Sequence, residues 1–141
     1  MTTTTITGGP VRTDPVRINP STWNLALGFD QAQVRTAPTT LLTLAGQGPV
    51  DGDGRLVHAG DLTAQVALAV RNVEELLEAA GFTVADVLSL TVHTTDVDGV
   101  LANYHLITER LAPATPPATL VGVARLALPG MAVEITVQAG R

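Results

Sequence analysis

The chain has 141 residues, 45% of them hydrophobic and 15% charged, which suits one folded domain and excludes a disordered chain. Net charge is −5 with no block of like charges, so the sequence lacks the basic patch of a nucleic-acid binder and no nucleic-acid partner is expected. There is no cysteine, hence no disulfide or thiolate site, and His58, His93 and His105 lack zinc-ligand spacing, so no zinc site is expected.

Residues 1–15 are rich in Thr, Gly and Pro and read as a flexible segment ahead of a single domain over 16–141. MTTTTITGGP has neither a basic start nor an apolar run, so no signal peptide is expected. Apolar stretches are far shorter than a membrane span, and a cytoplasmic protein with no membrane partner is the default reading. Residues 27–36, LGFDQAQVRT, read as a strand with Phe29, Ala32 and Val34 apolar. TTLLTLAGQ, 39–47, reads as a buried strand ending at Gly46, and the two Asp-Gly pairs of VDGDGRL, 50–56, mark a turn. No P-loop Lys-Ser/Thr follows them, so this is a hairpin and not a phosphate cradle.

Asp61 is placed to cap a helix, and Leu62, Val66, Ala69, Val70, Val73, Leu77 and Ala80 follow it at three- and four-residue steps. Gly81 ends that helix, because glycine enters the left-handed conformation without steric cost. VLSLTVHTTD, 87–96, reads as a strand, and Val100, Tyr104, Ile107 and Leu111 form a shorter helical stripe that stops before Pro113. Two strands close the chain, over 118–126 and 131–139. In the second, Val133, Ile135 and Val137 alternate with Glu134, Thr136 and Gln138, which puts a carboxylate on its polar face. The expected order is β-β-α-β-α-β-β, a two-layer α/β (α+β) domain with two helices on one face of a sheet. The other face would carry Glu134, Thr136 and Gln138 toward water or a neighbouring subunit.

The stretch AGQGPVDGDGRLVHAGDLTAQVALAVRNVEELLEAAGFTVADVLSLTVHTTDV, with VARLALPGMAVEI after it, resembles the Rid family of YjgF-type reactive-intermediate deaminases, once called endoribonuclease L-PSP. Gly-Gln before the turn, Gly-Asp-x-x-x-Gln at the helix start, Ala-Ala-Gly at its end, Thr-Asp after the third strand and Val-Glu-Ile in the last strand carry the likeness. The resemblance implies a chorismate-mutase-like fold with a mixed sheet. It also implies a homotrimer with a small-molecule cleft at each subunit boundary, and hydrolysis of enamines and imines such as 2-aminoacrylate without any cofactor. In the family an arginine two residues after a proline grips the substrate carboxylate, and a last-strand glutamate positions the attacking water.

Glu134 matches that glutamate. Counting back from VARL, Pro116 takes the proline position and Ala118 the arginine position; a one-residue shift puts Thr119 there, with Leu120 next. None of these supplies the planar two-pronged donor that favours carboxylate. Phe29 stands near the family's tyrosine, Ala45 replaces the usual serine, and the backbone of Gly46 and Gln47 would bond the polar end of a ligand. Tyr104 or Asn103 aligns with the family's asparagine, and His93 sits where an aromatic is common. Trp23 is close enough to wall the pocket. Tyr104 and His93 are candidate proton carriers, His93 also reading as an ordinary strand residue; Arg125 matches the family's own arginine in VARL and reads as structural. The expected ligand is apolar or uncharged, handled either by Glu134-directed hydrolysis of a C–N bond or by a non-catalytic, chaperone-like trimer. RNA cleavage ranks third on charge.

Overall fold

The computed structural model describes residues 14–36 and 38–141, so residues 1–13 of the expected flexible segment lie outside the described residues. The amphipathic stripe forms helix α1, Leu62–Ala79, which buries Val66, Ala69, Val70, Val73 and Leu77. Asp61 caps it, accepting from the Ala64 N–H at 3.1 Å, and Gly81 follows at φ 74°. These α1 residues pack on strand β6, Val133–Gly140, whose Val133, Ile135, Val137 and Ala139 are buried. Strand alternation therefore directs Glu134, Thr136 and Gln138 to the opposite face.

Strand β6 lies inside a four-stranded mixed sheet of order β3-β6-β4-β5, with β3 at Leu41–Thr43, β4 at Val87–Thr94 and β5 at Ala118–Gly122. β3 and β4 run antiparallel to β6, while β5 runs parallel to β4. Helices occupy one face and seal the apolar core. The α/β domain with a mixed sheet and flanking helices is thus as expected. None of the described helices is long and apolar enough to cross a membrane.

Three details depart from the sequence reading. The second helical stripe is two helices, α2 at Val97–Asn103 and α3 at His105–Leu111, because the chain tightens at Tyr104, whose N–H reaches Leu101 O at 3.3 Å. The periodicity continues through that break and so conceals it. The strand expected over 27–36 shrinks to β2, Ala32–Val34, after a 3-10 turn at Leu25–Leu27 that ends on Gly28 at φ 80°. It pairs with β1, Val16–Ile18, a strand the hydrophobic pattern does not signal, since Val16, Ile18 and Val34 are all exposed. The strands expected at 39–47 and 118–126 are likewise shorter than their apolar runs, and the last, expected at 131–139, runs over 133–140.

Candidate functional site

The sheet register sets Glu134 directly across from His93, and His93 across from Val121, as one row on the helix-free face. Thr136, Thr91 and Thr119 form the next row. Neither the Glu134 carboxylate nor the His93 ring has a hydrogen-bond partner among the described residues, and both are half-buried. Each is left with its polar atoms available to water or a ligand.

Glu134 is held from the other side by a change of register. Thr43 pairs with Gln138, so an unbroken ladder would set Gly46 opposite Ile135. Instead Gln47 takes that place, its N–H reaching Ile135 O at 2.7 Å and its carbonyl accepting from Ile135 N at 2.9 Å. One extra residue therefore bulges out between Leu44 and Gly46, a device that re-aims side chains beside functional sites. The Glu134 carboxylate lies in the space this creates. A Cβ at Gly46 would overlap its Oε1 and come within 2.9 Å of its Cγ, so glycine is required by close approach. Gly46→Ala is expected to cost about 1–2 kcal/mol through overpacking. That cost should vanish in a Glu134→Ala background, and the coupling can be read from a double-mutant cycle of urea unfolding midpoints.

Two further side chains fix the start of β6, and the sequence reading had given them no role in the site. Gln65, 1% exposed, donates to His58 O at 3.1 Å and Gly130 O at 3.0 Å and accepts from the Ala132 N–H at 2.8 Å. Thr94 Oγ1 donates to Ala132 O at 2.6 Å. The glutamine of the Gly-Asp-x-x-x-Gln motif is therefore the clamp joining α1 to the chain two residues ahead of Glu134. The available signal was its position: Leu62, Gln65, Val66 and Ala69 share one helical stripe, and a polar group on a buried stripe needs partners.

The remaining expected residues fall elsewhere. Ala118 and Leu120 pair with Leu90 and Val92 and pack against the core on the helix face, while Thr119 is exposed on the opposite one. Ala118 and Glu134 thus lie on opposite faces, with β4 between their strands, and do not meet within one chain. Asn103 is engaged internally, accepting from Thr63 Oγ1 and donating to Gly99 O, both at 2.8 Å. Tyr104 packs against the core, and burial pushes its phenol above the usual range, which keeps it protonated. Ala45 is exposed on the bulge and accepts from Gln47 Nε2 at 2.9 Å.

Trp23, 64% exposed, meets Phe29 edge-to-face with ring centroids 5.8 Å apart. Their segment is tied to the chain just before β5 through Asp30, whose N–H reaches Thr115 O at 2.9 Å. The Asp30 side chain is fully buried and accepts from Arg17, Asn19, Gln33 and Thr115 at 2.8–3.0 Å. Burial alone would raise its carboxyl, but those four donors outweigh it and hold the group well below the usual carboxylate range. No sequence signal marks this network, because its members come from five separate positions. Among the described residues no group of three or more His, Asp or Glu could hold a metal ion.

Comparison with known proteins bears on this arrangement. The family profile described as endoribonuclease L-PSP matches residues 27–140. A RutC family protein of Pyrococcus horikoshii is 31% identical over 85 residues, 60% of this chain and 68% of that protein. A second, from Pyrococcus abyssi, is 29% identical over 83 residues, 59% of this chain and 65% of that protein. The structure of YyfB, a Rid family protein of unknown function from Yersinia pestis, is 32% identical and covers 92% of this chain and 100% of its own, with TM-score 0.82. A member of the YjgF/YER057c/UK114 family from Mycobacterium tuberculosis is 28% identical, covers 90% of this chain and 99% of its own, and has TM-score 0.56. With sequence and fold in agreement over most of its length, the chain belongs to the Rid/YjgF family.

Proposed function

We propose that the chain, folded as one domain over residues 16–141, assembles as a homotrimer and binds a small molecule in clefts between subunits. There Glu134 orients a water that adds to an imine or enamine carbon and releases the amine. The reacting carbon carries no carboxylate. One observation carries the reading: the Glu134 carboxylate, unpartnered within the described chain, sits against Gly46 at a bulge and across from His93. A carboxylate so placed can hold a water by its lone pairs and take up its proton as it attacks. His93 is the nearest cross-strand group able to carry that proton onward.

The helix-free face that bears Glu134 and His93 supports assembly, since a second subunit laid on it would close the cleft that one chain leaves open. Phe29, Trp23, Ala118 and Leu120 would then supply an apolar wall, and Thr119, Asn103, Tyr104 and the Gly46–Gln47 backbone the polar margin. Leaving the carboxylate of 2-aminoacrylate unpaired at Ala118 would cost on the order of 3–5 kcal/mol, which disfavours that substrate.

The test is ammonia release from 2-aminoacrylate and from an uncharged imine, each generated in situ. Turnover of the uncharged imine should fall about a hundredfold in Glu134→Gln, a change of about 2.7 kcal/mol. Turnover of 2-aminoacrylate should stay near background in both proteins. Fast 2-aminoacrylate hydrolysis lost in Glu134→Gln would overturn the substrate assignment. Thermal stabilisation by the imine without any product, equal in both proteins, would instead favour a non-catalytic binding trimer.

A further inference from the structure

The row that bears Glu134 does not end at the last strand residues. Its cross-strand register continues one step further, where the Thr95 N–H reaches Ala132 O at 3.1 Å. Thr95 keeps the parity of His93 and Ala132 that of Glu134, so the pair forms the next rung of the same face, roughly 6.6 Å along the strands. Thr95 and Ala132 also line a groove of about 460 Å³ whose other wall is the excursion from Ala124 to Met131. Its lining is Ala, Leu, Pro, Gly and Met apart from Thr95 and one charged residue, Arg125. Arg125 is exposed and makes no hydrogen bond or ion pair to the described residues. The sequence reading gave this arginine a structural role, and no hydrogen bond or ion pair among the described residues provides one.

A guanidinium in a groove otherwise lined by apolar side chains favours an anion with an apolar tail. The planar fork binds a carboxylate through two parallel charge-assisted hydrogen bonds. We propose that Arg125 is the anion anchor of the Glu134 site, and that the ligands are oxo acids, or their imines, with the carboxylate several bonds from the reacting carbon. This rests on the proposed function for the reaction at Glu134, but the anchor itself does not depend on catalysis. The distance decides the class. The Thr95–Ala132 rung that borders the Arg125 groove is already about 6.6 Å along the strands from Glu134, a gap too long for a carboxylate on the reacting carbon and suited to one separated by about three methylenes, given the reach of the arginine side chain.

The probes are 5-oxohexanoate, its uncharged counterpart 2-hexanone, and 2-oxohexanoate, titrated calorimetrically against the full chain, Arg125→Met and Glu134→Gln. The expected result is that 5-oxohexanoate binds at least tenfold tighter than either other ketone. That preference should disappear in Arg125→Met and survive in Glu134→Gln. Arg125→Met should retain the melting temperature of the parent, since the exposed side chain makes no hydrogen bond or ion pair to the described residues. An unchanged preference in Arg125→Met, a preference for 2-oxohexanoate, or no binding by any probe overturns the inference. The two proposals fail separately. Imine hydrolysis that depends on Glu134 but ignores Arg125 sinks only the anchor, and Arg125-dependent binding with no hydrolysis sinks only the catalytic reading.

Discussion

Asp30→Ala should free the segment from residue 14 to residue 36, lowering the free energy of its local opening by about 3 kcal/mol. The carboxylate is the only anionic group in a cluster of four donor side chains, and its deletion leaves Asn19, Gln33 and Thr115 without their shared acceptor. Arg17 is 52% exposed and can turn to water, which keeps the estimate at the low end for a broken buried pair. The β3-β6-β4-β5 sheet has its own core, so the loss should be local and not global. Amide exchange at Asp30 and Gln31 should accelerate by roughly two orders of magnitude, with far smaller changes in β4 and β6. Equal acceleration throughout would mean that the segment is part of the global folding unit.

The same group gives the protein an acid-sensitive attachment. Its folded carboxyl titrates below the unfolded value of about 3.9, so the stabilisation is complete above that pH. It is lost as pH falls from there toward the lower folded value. Exchange at the Asp30 and Gln31 amides, corrected for its intrinsic pH dependence, should report the loosening below about pH 4. In Asp30→Ala this increment should be missing.

The contrast between Asp30 and α1 explains what a sequence exposes. α1 repeats one physical rule over eighteen residues, so its seven apolar positions, its Asp61 cap and its Gly81 stop all point to the same helix. β1 and β2 bury almost nothing on either face, and no alternation of apolar residues can announce them. The site divides in the same way. Glu134 was legible from its strand pattern, and its family motif supplied a role. Its relation to His93 was not, because that depends on the register in which β4 is laid on β6, with its irregularity between Val87 and Ser89, and on the order of strands, neither of which is written in one segment. Ala118 is the clearest case. The resemblance put Ala118 in one site with Glu134, and within one chain β4 intervenes and alternation turns the two side chains to opposite faces.

Gln65→Leu is expected to lower global stability by about 4 kcal/mol, because it removes three hydrogen bonds of a buried side chain, leaving the Ala132 N–H unpaired and taking a donor from the Gly130 and His58 carbonyls, of which His58 O keeps the Asp61 N–H at 3.0 Å. Leucine is close to glutamine in volume, so the loss is one of unpaired polar groups and not of packing. For a chain of this length it corresponds to a drop of roughly 12 °C in melting temperature. Gln65→Glu separates the two kinds of bond. A buried carboxylate still accepts from Ala132 N but repels both carbonyls, so at neutral pH this variant should be at least as unstable as Gln65→Leu. Protonation restores one donor, and burial raises the pH at which that occurs. With the folded carboxyl above its unfolded value, stability should rise as pH falls from 7 toward 5, opposite in sign to the Asp30 effect. A flat profile would mean that water enters and satisfies the three backbone groups. Either variant should also loosen Glu134, because Gly130 and Ala132 set where β6 begins. Loss of the Gly46–Glu134 coupling in a Gln65→Leu background would place the clamp, and with it the motif glutamine, among the residues that position the carboxylate.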